Sequence, residues 1–255
     1  MSAEPGAGVR ATASGPSQTD VVIRGIKAMI LDGTLERGSR LPVEKDLAAL
    51  LDVSRGSLRE GVRALATLGV LETRQGDGTY VTSLDPAALL APVGFLAELH
   101  TGADAAHLLA VRRVLEAESV TRAATRLTDE ELAELDRLLT RIEGRVDHAE
   151  SEADLEEFIE ADSEFHRTIA RASGNPALAA LIESIVGRTQ RARMWRAISE
   201  NGAIERTQAE HRAILAELVR RDPELARIRM EVHLLGVERF AMDHPTAAAD
   251  PAFDQ

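Results

Sequence analysis

The chain has 255 residues, 44% of them hydrophobic but only 3% aromatic, a formal net charge of -12 and no cysteine. That length suffices for two ordinary domains, and the missing thiols exclude disulfide scaffolds, thiolate zinc fingers, iron–sulfur clusters and cysteine nucleophiles. Any metal must therefore be held by His, Asp or Glu, and a core of Leu, Ala, Val and Ile predicts a mainly α protein.

Residues 1–17 are rich in Gly, Ala, Ser and Pro and show no periodic apolar pattern, so they read as a flexible arm. They lack the apolar core of a secretion signal, and no run of about 18 apolar residues follows, which predicts a cytoplasmic protein off the membrane. Val22, Ile26 and Met29/Ile30 follow helical spacing and stop at Asp32-Gly33. A second helix is written over 44–51 behind Leu41-Pro42, carrying Leu47, Leu50 and Leu51. Only Asp52 and Val53 separate it from a third, capped by Ser54, with Leu58, Val62 and Leu65 as its buried stripe and Gly69 as its end. Two β-prone runs, 70–74 and 79–82, then flank Gln75-Gly76-Asp77-Gly78, a hairpin turn. Three helices and a hairpin make a winged helix-turn-helix over 18–83.

Beyond Ser83-Leu84-Asp85-Pro86 long amphipathic helices take over, which marks a domain boundary. Residues 84–103 read as a linker with a first connecting helix at 87–100, residues 104–243 as an all-α antiparallel bundle, and 244–255 as a flexible tail. The expected bundle helices are 104–127, 129–147, 153–172, 176–198, 203–220 and 223–242. Asp104, Thr128 and Asp222 can cap starts, and Gly174-Asn175-Pro176 and Asn201-Gly202 mark breaks. The charge divides along the same line. Residues 18–83 carry nine Lys/Arg and nine Asp/Glu, so the whole excess of acid lies in the second part and the first is free to present a basic face.

A helix in the major groove reads bases from its N-terminal turns, and arginine suits guanine because its fork matches O6 and N7. Arg55 lies in the first turn of the third helix and Arg59 one turn later, off the buried stripe. Ser54 and Ser57 can give hydroxyls to phosphates, Lys45 a further backbone contact, and the Gln75-Gly76 wing tip a minor-groove approach. On spacing alone Arg55, Arg59 and Arg63 read equally well as a solvated helix face. The string Gly38-Ser39-Arg40-Leu41-Pro42, Glu44-Lys45-Asp46-Leu47-Ala48, Val53-Ser54-Arg55, Leu58-Arg59-Glu60, Leu65, Gly69 and Gln75-Gly76-x-Gly78-Thr79-x-Val81 resembles the GntR family of bacterial transcription regulators. The resemblance implies operator binding by Arg55 and Arg59 on bases, Ser54 and Ser57 on the backbone, Lys45 nearby and the wing at Gln75 and Gly76. Val43, Lys45 and Gly56 depart from the usual pattern, and Lys45 keeps a charge without the arginine fork.

In the acidic part, Asp162 and His166 share a helix face with Leu155, Phe158/Ile159, Phe165 and Ile169. Burying a carboxylate and an imidazole there without partners would cost several kcal/mol. His211 interrupts the stripe Ile204, Gln208, Leu215, Leu218, and His233 interrupts Met230, Val237, Phe240. One aspartate and three histidines from three helices suit Zn²⁺ first, with Ni²⁺, Mn²⁺ or Fe²⁺ as alternatives, although each inward histidine alone also reads as a satisfied core residue. His100, His107, His148 and His244 show no such pattern and read as surface residues.

Arg112-Arg113-Val114-Leu115-Glu116, Ala123-Ala124, Asp162-Ser163-Glu164-Phe165-His166, Gly174-Asn175-Pro176, Glu210-His211-x-x-Ile214 and His233 resemble the FCD ligand-sensing domain of the FadR-type branch of GntR regulators, in its metal-binding kind. The resemblance implies Asp162, His166, His211 and His233 as metal ligands. It also implies a small carboxylate effector held by Arg112, or by Arg113 as the lesser choice. On spacing, Arg112 also reads as a surface ion pair with Glu116. The expectation is a homodimer that grips a palindromic operator on double-stranded DNA and releases or tightens it as effector moves the bundle helices. The competing readings of the Asp/His set are a metal-dependent hydrolase and a purely structural metal.

Overall fold

The computed structural model describes residues 16–90, 104–146, 152–187 and 189–244. The expected arm up to residue 15, the connecting segment 91–103 with most of the helix placed at 87–100, His148, and the tail from 245 lie outside them. The chain forms two compact units, one up to Asp85 and one from Pro86.

In the first unit α1 (Gln18–Leu31), α2 (Glu44–Leu50) and α3 (Arg55–Thr67) precede the strands β1 (Leu71–Arg74) and β2 (Gly78–Val81). Ser17 opens α1 with a reciprocal cap. Its Oγ accepts from Asp20 N while the Asp20 carboxylate accepts from Ser17 N, each at 3.1 Å. Val22 and Ile26 of α1 pack with Leu47 of α2, Leu58 and Leu65 of α3, and Leu71 and Val81 of the hairpin in one core. Gly61 sets the α1–α3 approach, since a Cβ there would lie 2.5 Å from Val22 Cγ1. The hairpin pairs Leu71 with Val81 and Arg74 with Gly78, antiparallel, and turns through Gly76 at φ 77°.

The second unit consists of α4 (Asp104–Ala123), α5 (Asp129–Val146), α6 (Glu152–Ala172), α7 (Pro176–Val186), α8 (Gln190–Ser199), α9 (Ala203–Val219) and α10 (Pro223–Asp243). α10 runs antiparallel along α4: Ala106 and Leu109 meet Val237 and Ala241 at one end, and Val120 and Ala123 share a cluster with Ala226 and Met230 at the other. Leu132, Leu135 and Leu139 of α5, Phe165 and Ile169 of α6, and Ile214 and Leu218 of α9 complete the main core. Thr128 and Glu131 form a capping box at α5, and Asn175 and Asp222 cap α7 and α10. None of the described helices is long and apolar enough to cross a membrane.

The mainly α class and the winged-helix-plus-bundle plan stand as the sequence predicts. Two boundaries differ. The helix expected to run to 127 ends at Ala123, with Leu127 turned into the core after one irregular turn. The single helix expected over 176–198 is two, α7 and α8, although the apolar rhythm runs on past Gly187. Thr189 turns its hydroxyl back to the carbonyls of Ile185 and Val186 at 3.2 Å each, and Arg193 Nη2 donates to Val186 O at 2.8 Å. The Val186 carbonyl at the end of α7 is thereby satisfied by the side chains of Thr189 and Arg193, while the Ile185 carbonyl also accepts from Thr189 N at 3.0 Å.

Candidate nucleic-acid interface and metal centre

The first unit presents its candidate residues to solvent. The Ser54 Oγ accepts from Ser57 N at 3.0 Å and meets Ser57 Oγ at 2.9 Å, so the two hydroxyls that could reach a phosphate also close the start of α3. Lys45 and Arg55 are exposed, and Arg55 makes no side-chain hydrogen bond among the described residues. Arg59 is held from the side by Glu44 of α2: its Nε donates to both carboxylate oxygens at 3.0 and 3.1 Å and its Nη2 to Oε2 at 2.9 Å. That hydrogen bond is what lowers the Glu44 pKa and raises that of Arg59. A cleft of 660 Å³ runs between α3 and the wing, lined among others by Arg59, Arg63, Gln75 and Gly76. Arg40 and Arg74 also line it, two cations that periodicity does not single out. Arg74 lies 4.2 Å from the Tyr80 ring centre, and Tyr80 donates to Asp77 at 2.8 Å, so the wing tip is braced from within.

In the second unit the four side chains singled out on three helices meet. Asp162 and His166 come from α6, His211 from α9 and His233 from α10, all are buried, and one ligand atom from each lies within 4.8 Å of the others. His233 Nε2 stands 3.3 Å from both His166 Nε2 and His211 Nε2, and Asp162 Oδ1 is 3.5 Å from His211 Nε2. The outward nitrogens are already engaged. His166 Nδ1 bonds Glu116 of α4, and His233 Nδ1 bonds Glu210 of α9 at 2.8 Å. A carboxylate accepts, so each Nδ1 carries the proton and each Nε2 points a lone pair inward. Two lone pairs 3.3 Å apart repel unless a cation lies between them, and ligand atoms about 2.0–2.1 Å from a tetrahedral ion stand about 3.4 Å from one another. The donor set therefore fits a divalent transition metal, and Glu116 and Glu210 would be the carboxylates that orient its imidazoles.

The protonation equilibria agree with that arrangement. Burial is the main cause that pushes the pKa of His166, His211 and His233 down, and for His211 the neighbouring His233 and His166 add to it. Burial would raise Glu116, but Arg112 and His166 outweigh it and hold the carboxyl far below the usual range. Arg112 is fully buried; its Nε bonds Glu116 and its Nη1 donates to Thr189 Oγ1 at 3.3 Å. The Arg112–Glu116 pair is thus present at i+4 spacing but lies in the interior, not on the surface, because α6, α7 and α10 enclose α4. Arg113 instead pairs with Glu238 of α10 at 2.8 Å. Nothing in the sequence gives the buried Arg193 and Arg196 of α8 a role, and Glu210 is marked only by its place beside His211 in the family string. Of the remaining histidines, His107 and His244 are exposed.

Comparisons with known proteins place these units. Residues 18–81 match the family described as bacterial regulatory proteins, gntR family, and residues 107–236 match the FCD domain. The HTH-type transcriptional regulator YcbG of Bacillus subtilis is 32% identical, over 84% of this chain and 85% of its own. The HTH-type transcriptional repressor NanR of Cronobacter sakazakii is 29% identical, over 86% and 83% respectively. The solved structure of Streptococcus agalactiae GntR superposes with a TM-score of 0.57 at 31% identity, covering 87% of this chain and 99% of that one. These relatives are regulators, and the hydrolase reading of the Asp/His set finds no support among them. The chain belongs to the GntR family of bacterial transcription regulators, with the FadR-type architecture of a winged helix-turn-helix followed by an effector-binding FCD domain.

Proposed function

We propose that the chain is a repressor of a metabolic operon. Two copies hold a palindromic operator, and a small carboxylate is sensed at a divalent transition metal, Zn²⁺ before Ni²⁺, Mn²⁺ or Fe²⁺, in the FCD domain. The observation that carries the sensing half is the 3.3 Å approach of His166 Nε2 and His233 Nε2, with the Nδ1 atoms of the two rings held by Glu116 and Glu210. Asp162, His166, His211 and His233 would hold the ion. Bound there, it would supply a Lewis-acidic centre that attracts carboxylate oxygens. Arg112 positions Glu116, and its Nη2, buried without a partner among the described residues, adds positive potential beside the ligand set. The name of NanR supports the sense of regulation as repression.

For DNA, Arg55 and Arg59 would read bases, with Ser54 and Ser57 on phosphates, Lys45 on the backbone, and Gln75 and Gly76 at the wing. One such unit contacts a half-site, so a second copy is required for specific affinity. Val111 and Val114 of α4 and Leu225, Ile228 and Val232 of α10 are exposed apolar side chains on the two helices that pack along each other, and they suit that second copy as occupant. Effector binding must favour one disposition of the two DNA-binding units over the other for occupancy to change.

Two measurements test this reading. Purified wild type should contain about one transition-metal ion per chain by elemental analysis, and His211→Ala should lose it together with effector-dependent release of operator. Arg55→Ala or Arg59→Ala should bind operator roughly tenfold more weakly or worse in fluorescence anisotropy. Retention of metal and response by His211→Ala, or of operator affinity by the arginine variants, would overturn the respective half.

A further inference from the structure

The interior of the FCD domain holds guanidinium donors that no carboxylate or carbonyl among the described residues satisfies. Arg193 and Arg196 of α8 are each only 6% exposed, and both line a small cavity with Asp162, His233, Thr207 and Val237. The room left in it is about 20 Å³, close to what one water molecule needs. Arg193 Nε and Arg196 Nη1 are buried there without a partner among the described residues, and a buried unpaired donor carries the full cost of its lost hydration. Arg193 donates to Ser163 Oγ at 3.1 Å and Val186 O at 2.8 Å and touches Asp162, while Arg196 Nε donates to Glu200 at 2.8 Å. Arg112 does not line this cavity; its Nε and Nη1 are engaged by Glu116 and Thr189, and its unpaired Nη2 lies outside the cavity lining.

Asp162 is claimed from two sides. One oxygen faces His211, the other the Arg193 guanidinium. A dication held by the Asp/His set would stand across one carboxylate from a guanidinium, and the two like charges repel in an interior that screens them poorly. With Arg112, Arg193 and Arg196 against the buried carboxylates Asp162 and Glu116 and the rim carboxylates Glu200 and Glu210, such a loaded centre is net positive and lacks an anion.

We propose that Arg193 and Arg196 form the receptor for the anionic group of a small organic carboxylate, and that Arg193 moves between Asp162 and that anion. Loading of the Asp/His set and binding of the anion are then linked through one side chain. This rests on the metal reading above and adds to it which residues take the effector and why the two ligands cooperate. Linkage requires that the anion raise metal affinity by the factor by which the metal raises anion affinity.

The experiment is calorimetric titration of full-length, metal-stripped protein with Zn²⁺, alone and in millimolar succinate as a minimal dicarboxylate. In wild type, succinate should tighten Zn²⁺ binding several-fold. Arg193→Met should bind Zn²⁺ alone roughly tenfold more tightly than wild type and lose the succinate effect. Arg196→Met should leave Zn²⁺ alone unchanged and weaken the succinate effect. Arg193→Lys, which keeps a charge in the fold if the methionine variant does not accumulate, should bind Zn²⁺ as wild type does but without coupling. Weaker Zn²⁺ binding by Arg193→Met, undiminished coupling in the methionine or lysine variants, or no effect of succinate on wild type would each overturn the proposal. Wild type that takes up no Zn²⁺ would remove the metal reading itself, which is a different result from Zn²⁺ uptake indifferent to Arg193.

Discussion

The two units use charge in opposite ways. In the winged helix the working cations lie in water: the Arg59–Glu44 pair is 62% and 51% exposed by side chain, and solvent pays most of the cost of rearranging it. In the FCD domain Arg112, Glu116, Asp162 and Arg193 are all buried, so each charge has been taken out of water and is tolerable only in a fixed set of pairs. A surface of the first kind suits a polyanion met by diffusion and exchanged readily. An interior of the second kind suits a small ligand whose charge completes the set, and its occupancy is felt by every helix that contributes a group.

The sharpest way to break this contrast is Glu116→Ala. It leaves Arg112 charged and unpaired in the interior and releases Nδ1 of His166 at the same time. Breaking a buried pair from one side costs about 3–5 kcal/mol. Loss of an orienting carboxylate lowers metal affinity by roughly 10–100-fold. Urea unfolding followed by the single tryptophan, Trp195 of α8, reads the first effect, and metal titration of whatever fraction folds reads the second. Destabilisation below about 1 kcal/mol would mean that the interior behaves like a surface pair.

That effect also shows what the sequence made legible. His211 and His233 stand out because each interrupts an apolar stripe, and a polar residue at a core position of a 3.6-residue rhythm is visible without any tertiary knowledge. Ser54, Thr128 and Asp222 are legible as caps because capping is settled within four residues. Arg193 and Arg196 are not, because Gln190-Arg191-Ala192-Arg193 reads as an ordinary charged turn, and only the arrival of Asp162, Ser163 and Val186 from other elements makes an arginine there an interior group. For the same reason the spacing of Arg112 and Glu116 announces their pairing but not their burial, and the lateral hold of Glu44 on Arg59 spans 15 positions that no local pattern connects.

A smaller effect separates the units by pH. The three buried histidines have pKa values below the ordinary 6.5. Above about pH 6.5 folded and unfolded chains both keep neutral imidazoles, and stability is flat. Below it the unfolded chain takes up protons that the buried rings refuse, so metal-free FCD domain should lose stability as pH falls, by up to about 1.4 kcal/mol per pH unit for each such ring. Glu116 stays ionised throughout that window, and Glu210, whose carboxyl burial raises, opposes the trend only nearer to its ordinary 4.5. Urea unfolding between pH 7.5 and 5.5, read through Trp195, should show the slope. The signal of Tyr80, the single tyrosine and a residue of the wing, should not. Equal slopes for both probes would deny the distinction.

The smallest effect on stability, and the most telling for the exposed unit, is expected from Glu44→Gln. The carboxylate holds Nε and Nη2 of Arg59, two of the donors a base edge would need, and it places a negative charge at the mouth of the cleft between α3 and the wing. Because the pair is solvated, its loss should leave the unfolding midpoint of the unit unchanged. Its loss removes one repulsion toward phosphate, so affinity for a scrambled duplex should rise several-fold at low salt and the gain should fade as salt is added. Operator affinity should rise less, since Arg59 is no longer presented in one orientation and the direct readout it makes becomes less selective. The ratio of operator to scrambled affinity should therefore fall, which anisotropy titrations at two salt concentrations measure directly. A ratio that rises on removing Glu44 would show that the carboxylate competes with the operator for Arg59 more than it aims it.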